Sequence, residues 1–174
     1  KETAWDCATG NGQSAKELAK HFKQVYATDI SRSQLDHATR VMNIVYSRQP
    51  AEQTDFPDDS FDLVTVSQAL HWFNFELFYK ELNRVTRPGG WFTAWMYGGL
   101  RITPAIDALK RHHHDVTLGA YWDAERNFVD ENYETIPFPL KEINCPAFSM
   151  SFMWSLDELK GYFNTWSALQ KFIT

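Results

Sequence analysis

A loop with two glycines near the start of the chain most constrains its fold. Ala4-Trp5-Asp6 leads into Cys7-Ala8-Thr9-Gly10-Asn11-Gly12, and Ala27-Thr28-Asp29 follows downstream. Glycine lacks a Cβ and therefore allows a sharp turn and a close approach of the backbone to a ligand. Asp29 lies 19 residues beyond Gly10, the spacing at which an acidic residue ends the second strand of a βαβ unit and binds two ribose hydroxyls. The feature predicts a βαβ unit that holds a nucleoside cofactor.

The glycine loop by itself leaves the cofactor open. Gly10-Asn11-Gly12-Gln13-Ser14-Ala15 also satisfies the loose G-x-G-x-x-G/A pattern of nicotinamide and flavin binders. An ordinary structural glycine turn is a further alternative. No Gly-Lys-Ser/Thr follows the loop, which disfavours a phosphate-binding P-loop. The rest of the chain has to decide between these possibilities.

Length and composition favour one domain of 174 residues. We expect a cofactor-binding core in residues 1–100 and a substrate-side cap in residues 101–174. The apolar runs are far shorter than the roughly 20 residues that span a bilayer, so we expect no membrane segment. A net charge of −5 without a Lys/Arg run argues against a nucleic-acid partner.

The two cysteines, Cys7 and Cys145, fit neither a disulfide framework nor a metal cluster. We therefore expect a cytoplasmic protein without a metal. It would be a monomer or a homodimer. Because the sequence begins almost inside a strand, we also expect native residues to precede it.

Hydrophobic periodicity predicts strands that alternate with helices over the first hundred residues. Strands are predicted at 4–6, 24–28, 43–46, 61–66 and 91–97, and helices at 14–22, 32–40 and 75–85. The alternation favours an α/β fold with a Rossmann-like, mostly parallel sheet and helices on both faces, and a ligand crevice at the carboxyl ends of the strands. Beyond residue 100, a helix at 104–116, a strand-like segment at 141–153 and a helix at 156–169 would form a C-terminal cap.

Six motifs in order resemble the class I S-adenosylmethionine-dependent methyltransferases. They are similar to the small-molecule branch of trans-aconitate methyltransferase, methyltransferase type 11. The motifs are the loop at 6–12, Asp29, Ala51-Glu52, Phe61-Asp62-Leu63-Val64, His71-Trp72-Phe73 and Arg84-Val85-Thr86-Arg87-Pro88-Gly89-Gly90. The last turn and the Phe-Asp pair have no counterpart in the dinucleotide fingerprint. The resemblance covers residues 3–97 and implies S-adenosyl-L-methionine as cofactor and a small-molecule acceptor, with a carboxylate as one candidate.

The resemblance also implies which residues form the site. The cofactor-binding candidates are Asp6, Ala8, Gly10, Gly12, Asp29, Ile30, Ala51, Glu52, Ser67 and Gln68. His71, which follows the fourth strand, is the catalytic candidate, either accepting a proton or orienting a carboxylate. Trp72 and Tyr97 would stand beside it. The alternative is a structural histidine and two packed aromatic residues.

Two positions depart from the family's pattern. Ala8 replaces the first loop glycine, and Pro50 replaces an acidic residue that often binds the adenine amino group, so adenine recognition would rest on backbone groups.

A cluster of basic residues lies in the cap. Adjacent helical residues point in different directions, so the triplet His112-His113-His114 is a poor zinc site. With Arg101, Arg111 and Arg126 it would form either a cationic patch for an anionic substrate or a solvated helix face. Two other functions remain open, a nicotinamide oxidoreductase and a non-catalytic cofactor-binding protein of the same fold.

Overall fold

A parallel five-stranded sheet organises the first half of the protein, in a computed structural model that describes residues 2–146 and 148–174. Its strands are β1 (Thr3–Cys7), β2 (Gln24–Thr28), β3 (Ile44–Ser47), β4 (Phe61–Ser67) and β5 (Thr86–Trp95). They lie in the order β3-β2-β1-β4-β5, and every neighbouring pair is parallel. The strand order reverses between β1 and β4, so the ligand crevice of such a sheet lies at their carboxyl ends. The predicted fold class is confirmed.

Helices connect the strands and then form the cap. They are α1 (Gln13–Leu18), α2 (Arg32–Asp36), α3 (Phe75–Val85), α4 (Pro104–His112), α5 (Arg126–Asp130), α6 (Leu156–Asn164) and α7 (Ser167–Ile173). Short 3-10 turns lie at Leu70–Trp72 and Gly119–Tyr121, and a π turn lies at His113–Thr117. None of these helices has the length and apolar character that crossing a bilayer requires.

Helices cover both faces of the sheet because side chains alternate along β1. Trp5 and Cys7 belong to one buried cluster, which includes Phe78 of α3. Ala4 belongs to a second buried cluster, which includes Ala15 of α1. The two clusters form the core on opposite faces of the sheet.

The sequence of α3 determines where this helix begins and which side it buries. The Asn74 side chain accepts a hydrogen bond from the Leu77 N–H at 3.1 Å and caps the first turn. Phe78, Leu82 and Val85 recur at helical spacing and are at most 2% exposed. Burial of such a side chain stabilises the fold by about 1.5–3 kcal/mol. The helix therefore packs this side against the core cluster that contains Trp5.

The strand predicted at 141–153 is wrong. Residues 141–146 and 148–153 form no strand. Phe148, Met150 and Phe152 alternate as strand residues do, but all three are exposed. These residues pair with no strand in the described part of the chain, and an isolated strand has no hydrogen-bonding partners.

Several predicted boundaries also change. β5 begins at Thr86, includes the Pro-Gly-Gly turn and ends at Trp95, so Tyr97 lies beyond the strand. The helix predicted at 156–169 is two helices, because Trp166 adopts an extended backbone conformation between α6 and α7. The helices predicted at 14–22 and 32–40 end earlier, at Leu18 and Asp36. Asn43 helps to end α1 because its Nδ2 donates to carbonyls just beyond the helix.

Candidate active site

The loop after β1 adopts a left-handed backbone conformation at three positions. The φ angle is 54° at Ala8, 57° at Gly10 and 84° at Gly12. A Cβ on Gly12 would lie 2.2 Å from Tyr46 Oη, whereas a Cβ on Gly10 would meet nothing closer than 3.7 Å. Packing and backbone both require glycine at position 12, while the backbone alone favours it at position 10. Ala8 and Gly10 remain partly exposed, so their backbone is open to a ligand.

Asp29 joins this loop to the end of β2. Its Oδ2 accepts a hydrogen bond from the Gly10 N–H at 2.8 Å, and its Oδ1 accepts one from the Ser31 N–H at 2.8 Å. Each carboxylate oxygen has a second lone pair. The side chain can therefore hold the loop and still accept hydrogen bonds from ligand hydroxyls. Ile30, the next residue, is exposed beside it.

Asp6, at the end of β1, is engaged in hydrogen bonds within the protein. It is 1% exposed, and its carboxylate accepts hydrogen bonds from the Thr9 and Thr65 hydroxyls. Burial raises the pKa of Asp6, while hydrogen bonds from Thr9, Thr65 and the Ala15 backbone act in the opposite direction. These bonds tie the loop to β4 and α1. The structure therefore shows Asp6 holding the loop, and its direct contact with a cofactor stays a prediction.

The loop after β3 brings Ala51 and Glu52 to the start of α3. Ala51 is buried in the core, and Glu52 Oε1 accepts a hydrogen bond from the Asn74 N–H at 3.0 Å. Pro50 has no N–H and no polar side-chain atom. Binding of an adenine amino group here would therefore depend on backbone groups, as the sequence predicts.

The backbone is also strained where β4 ends. Ser67 is the last residue of the strand, and Gln68 has a φ of 58°. The Gln68 N–H donates to the Trp95 carbonyl at 3.0 Å, but its side-chain Nε2 is buried and has no partner in the described part of the chain. Left-handed non-glycine residues cost about 1–3 kcal/mol and cluster at functional sites. A ligand acceptor group would satisfy this open donor.

His71 lies in the 3-10 turn that follows β4 and contacts the cap. It is 7% exposed, and its Nδ1 lies 2.8 Å from the Tyr133 Oη. Burial lowers the pKa of His71, the charge of Arg126 lowers it further, and Glu125 acts in the opposite direction. The imidazole is therefore neutral at neutral pH.

Trp72 and Tyr97 lie in different surroundings. The Trp72 ring is 4.8 Å from the His71 ring between centroids and is 54% exposed. Tyr97 is 51% exposed, and burial raises its pKa, with a smaller contribution from Tyr162. Within residues 2–146 and 148–174, no hydrogen bond or ring contact joins Tyr97 to His71. The structure thus brings together two of the three predicted catalytic residues.

A basic cavity of about 430 Å³ lies in the cap. Its lining includes four basic residues, three aspartates and two aromatic rings: Arg101, Lys110, Arg111, Arg126, Asp107, Asp115, Asp130, Tyr162 and Trp166.

Two of the basic residues in this cavity have partners of their own. Arg126 donates to Asp130 at 3.0 Å, and Lys110 lies 3.5 Å from Asp107. Arg101 and Arg111 form no ion pair with the described residues. The cavity therefore brings together the arginines that the sequence grouped as a cationic patch.

The histidine triplet does not converge on one point. Of the three histidines, His114 alone lines the cavity. Its ring contacts Trp122 and the edge of Trp166, and His113 stacks on Trp166. Among the residues that the structure describes, no group of three His, Cys, Asp or Glu side chains is arranged to hold a metal.

Sequence reasoning missed the contact between His71 and Tyr133. The two residues are 62 positions apart and share no motif. The sequence shows only that Tyr133 is one of several aromatic residues in the cap, and this does not predict which residue it contacts.

The family assignment follows from comparison with known proteins. A family model described as a methyltransferase domain matches residues 5–94. The chain belongs to the class I S-adenosylmethionine-dependent methyltransferases. The matched residues contain the glycine loop, Asp29 and His71, whereas Tyr97 and the cap cavity lie beyond the matched region. The methyl donor of this family is S-adenosylmethionine.

Relatives extend the similarity into the cap. A protein of Dictyostelium discoideum assigned as a methyltransferase is 34% identical over 99% of this chain and 67% of its own length. A protein of Saccharomyces cerevisiae assigned as an S-adenosylmethionine-dependent methyltransferase is 27% identical over 53% of this chain and 34% of its own length. The solved structure of an assigned type II methyltransferase from Anaeromyxobacter dehalogenans has a TM-score of 0.87 and 38% identity, covering 97% of this chain and 72% of that one. The chain thus spans about two thirds of the length of the first of these two curated relatives and about a third of the length of the second.

Proposed function

We propose that the protein transfers a methyl group from S-adenosylmethionine to a small acceptor that carries a carboxylate. The observation that carries the choice of acceptor is the cap cavity, where Arg101 and Arg111 have no ion-pair partner among the residues that the structure describes. An arginine guanidinium binds a carboxylate through two parallel hydrogen bonds. The volume of the cavity, about 430 Å³, lies in the range of small-molecule sites.

The strand ends provide groups that fit the cofactor. Asp29 would bind the ribose hydroxyls, and the open backbone at Ala8 and Gly10 would admit the methionine portion. Gln68 Nε2, which has no partner among the described residues, would donate to a cofactor acceptor atom. Ala51 and Glu52 would lie beside the adenine. The bound cofactor supplies an activated methyl group on a positively charged sulfur.

The cavity and His71 would belong to one site. Arg126 lines the cavity, and its charge is close enough to lower the pKa of His71. An acceptor held by the arginines would therefore lie near the 3-10 turn after β4. Trp72 presents a half-exposed ring there, and an aromatic face attracts a cation by about 0.5–2 kcal/mol.

Positioning would supply most of the rate. Methyl transfer is an in-line displacement, and holding the reacting atoms at near-attack distance contributes about 7–11 kcal/mol. The residues of this chain would hold the acceptor, orient it and exclude water. Two further parts of this proposal are a cytoplasmic location, supported by the two cysteines, and a small acceptor rather than nucleic acid, supported by the net charge of −5. A monomeric or homodimeric state is also part of the proposal.

Calorimetry with S-adenosylhomocysteine tests the cofactor part of the proposal. NAD is titrated in parallel, because the oxidoreductase alternative predicts NAD binding. Binding of S-adenosylhomocysteine alone supports the proposal. Binding of NAD alone contradicts it, and binding of neither favours the non-catalytic alternative.

Transfer of a labelled methyl group to a panel of mono-, di- and tricarboxylic acids tests the acceptor. The matching primary amides serve as controls, since they lack the charge. Arg101→Gln with Arg111→Gln should raise the acceptor KM about tenfold or more, because hydrogen bonds to charged groups contribute about 1.5–3 kcal/mol. Arg32→Gln, in an exposed ion pair on α2, is the control variant. Equal transfer to acids and amides would contradict the carboxylate assignment.

A further inference from the structure

We infer that Tyr133 is a positioning residue that fixes the tautomer of His71 and makes His71 Nε2 a hydrogen-bond donor toward the acceptor. The inference rests on the proposed function, since it assigns the way in which His71 meets the acceptor. It follows from the geometry that joins the end of α5 to the 3-10 turn after β4.

The C-terminus of α5 determines where Tyr133 lies. The Asn132 N–H donates to the Val129 carbonyl at 3.1 Å, and the Tyr133 N–H donates to the Phe128 carbonyl at 2.7 Å. This pair of bonds is a Schellman motif, with Asn132 in the left-handed conformation that the motif requires at φ 54°. Tyr133 continues with a φ of 64°, which is strained for a bulky residue. The chain thus holds the tyrosine in an uncommon conformation directly against His71.

The partners of the Tyr133 oxygen determine where its proton lies. Among the described residues, the hydroxyl has one hydrogen-bond partner, His71 Nδ1 at 2.8 Å. A hydroxyl has one hydrogen to donate, and no other described acceptor lies within hydrogen-bond distance of it, so this hydrogen points to His71 Nδ1. Burial raises the pKa of Tyr133 to about 12, so the hydroxyl keeps its proton.

The tautomer of His71 follows from this arrangement. A neutral imidazole that accepts at Nδ1 carries its proton on Nε2. The groups whose charges act on the ring are Arg126 and Glu125, and with burial they leave its pKa below the usual value. Nε2 forms no hydrogen bond with any described residue. It is therefore a free donor.

This assignment decides between the two roles that the sequence left open for His71. An Nε2–H cannot take a proton from a hydroxyl acceptor, but it can hold one oxygen of a carboxylate. The other carboxylate oxygen then attacks the methyl carbon, forming a C–O bond while the C–S bond breaks. The electron pair of the C–S bond stays on sulfur and neutralises its charge. No proton moves, so no base is needed.

Nitrogen-15 NMR of the histidines tests the inference in the chain with and without Tyr133→Phe. We expect wild-type His71 to carry its proton on Nε2 at neutral pH, and the variant to contain a substantial share of the Nδ1–H tautomer. The control is Tyr121→Phe, whose hydroxyl makes no hydrogen bond with described residues and whose ring packs against Phe172. It should leave the His71 signals unchanged.

Activity gives a second readout with any acid that proves to be an acceptor. Tyr133→Phe should lower kcat about three- to tenfold, the effect of one neutral hydrogen bond, while affinity for S-adenosylhomocysteine stays unchanged. A wild-type His71 protonated on Nδ1 overturns the inference even if the variant fails to fold. An unaltered tautomer in a folded variant also overturns it. If the wild type does not bind S-adenosylhomocysteine, the proposed function is refuted, whereas the tautomer of His71 is still determined by the NMR result.

Discussion

Replacement of Asp29 by asparagine is the sharpest test of the cofactor site. The carboxylate accepts the Gly10 N–H on one oxygen and the Ser31 N–H on the other, both at 2.8 Å. Asparagine retains one oxygen and turns an NH2 group toward the other backbone N–H. One of the two backbone donors therefore loses its acceptor in Asp29→Asn.

The cost can be estimated from these two bonds. A hydrogen bond to a charged acceptor contributes about 1.5–3 kcal/mol, and about 1.4 kcal/mol corresponds to a tenfold change in affinity. One weakened ribose contact alone should raise the Kd for S-adenosylhomocysteine at least tenfold. Displacement of Gly10 would add to this loss, because the same carboxylate holds the loop.

Calorimetry measures the affinity, and thermal unfolding shows whether the variant remains folded. Asp36→Asn is the matched control, because Asp36 forms an exposed ion pair with Arg32 on α2 and such pairs contribute little. We expect its affinity to equal that of the wild type. If folded Asp29→Asn binds S-adenosylhomocysteine as tightly as the wild type, Asp29 does not bind ribose and the assigned site is wrong.

Three further changes test the packing and charges around the site. Gly12→Ala should abolish cofactor binding and lower the thermal midpoint, because the new Cβ would lie 2.2 Å from Tyr46 Oη at a φ of 84°. A thermal midpoint equal to that of the wild type would contradict the close packing. Tyr79→Phe should raise the free energy of unfolding by about 0.5–1 kcal/mol, measured by chemical denaturation. The Tyr79 hydroxyl is buried without a partner among the described residues, and burial of such a group is costly. A clear loss of stability would show that the hydroxyl does form a hydrogen bond. Backbone N–H groups and Arg87 lower the pKa of Asp62 to about 2, so its contribution to stability is complete above about pH 4 and is lost as the pH falls toward 2. Thermal midpoints measured across that range should fall less steeply in Asp62→Asn, and parallel curves would contradict this assignment.

The sequence predicts the part of the site that depends on local chain geometry. Gly10 and Asp29 belong to one βαβ unit, and parallel strands bring their carboxyl ends to the same edge, so the contact between them follows from spacing alone. Ser31 is likewise a recognisable helix cap. These residues need no information from the rest of the chain.

The contacts between core and cap could not be predicted in the same way. Tyr133 reaches His71 through a helix end whose left-handed residues include a tyrosine, which no propensity favours there. The alternation of Phe148, Met150 and Phe152 indicates a strand, but a strand forms only where another chain segment offers hydrogen bonds. Contacts between distant parts of the chain therefore determine both the position of Tyr133 and the absence of a strand at Phe148, Met150 and Phe152. The local sequence pattern carries no information about such contacts.

The strained residues show how the two halves of the site are joined. The described non-glycine residues with positive φ are Ala8, Asp59, Gln68, Asn132 and Tyr133. Ala8 follows β1 and Gln68 follows β4, at the two strand ends where the strand order reverses, and the last two residues bring the cap to His71. Each such residue costs about 1–3 kcal/mol, and it persists only where the surrounding structure holds it in place. Two of the five therefore lie at the carboxyl ends of the strands, and Tyr133 contacts the turn that follows β4. A rigid arrangement of cofactor loop, histidine and cap there would allow catalysis by positioning alone.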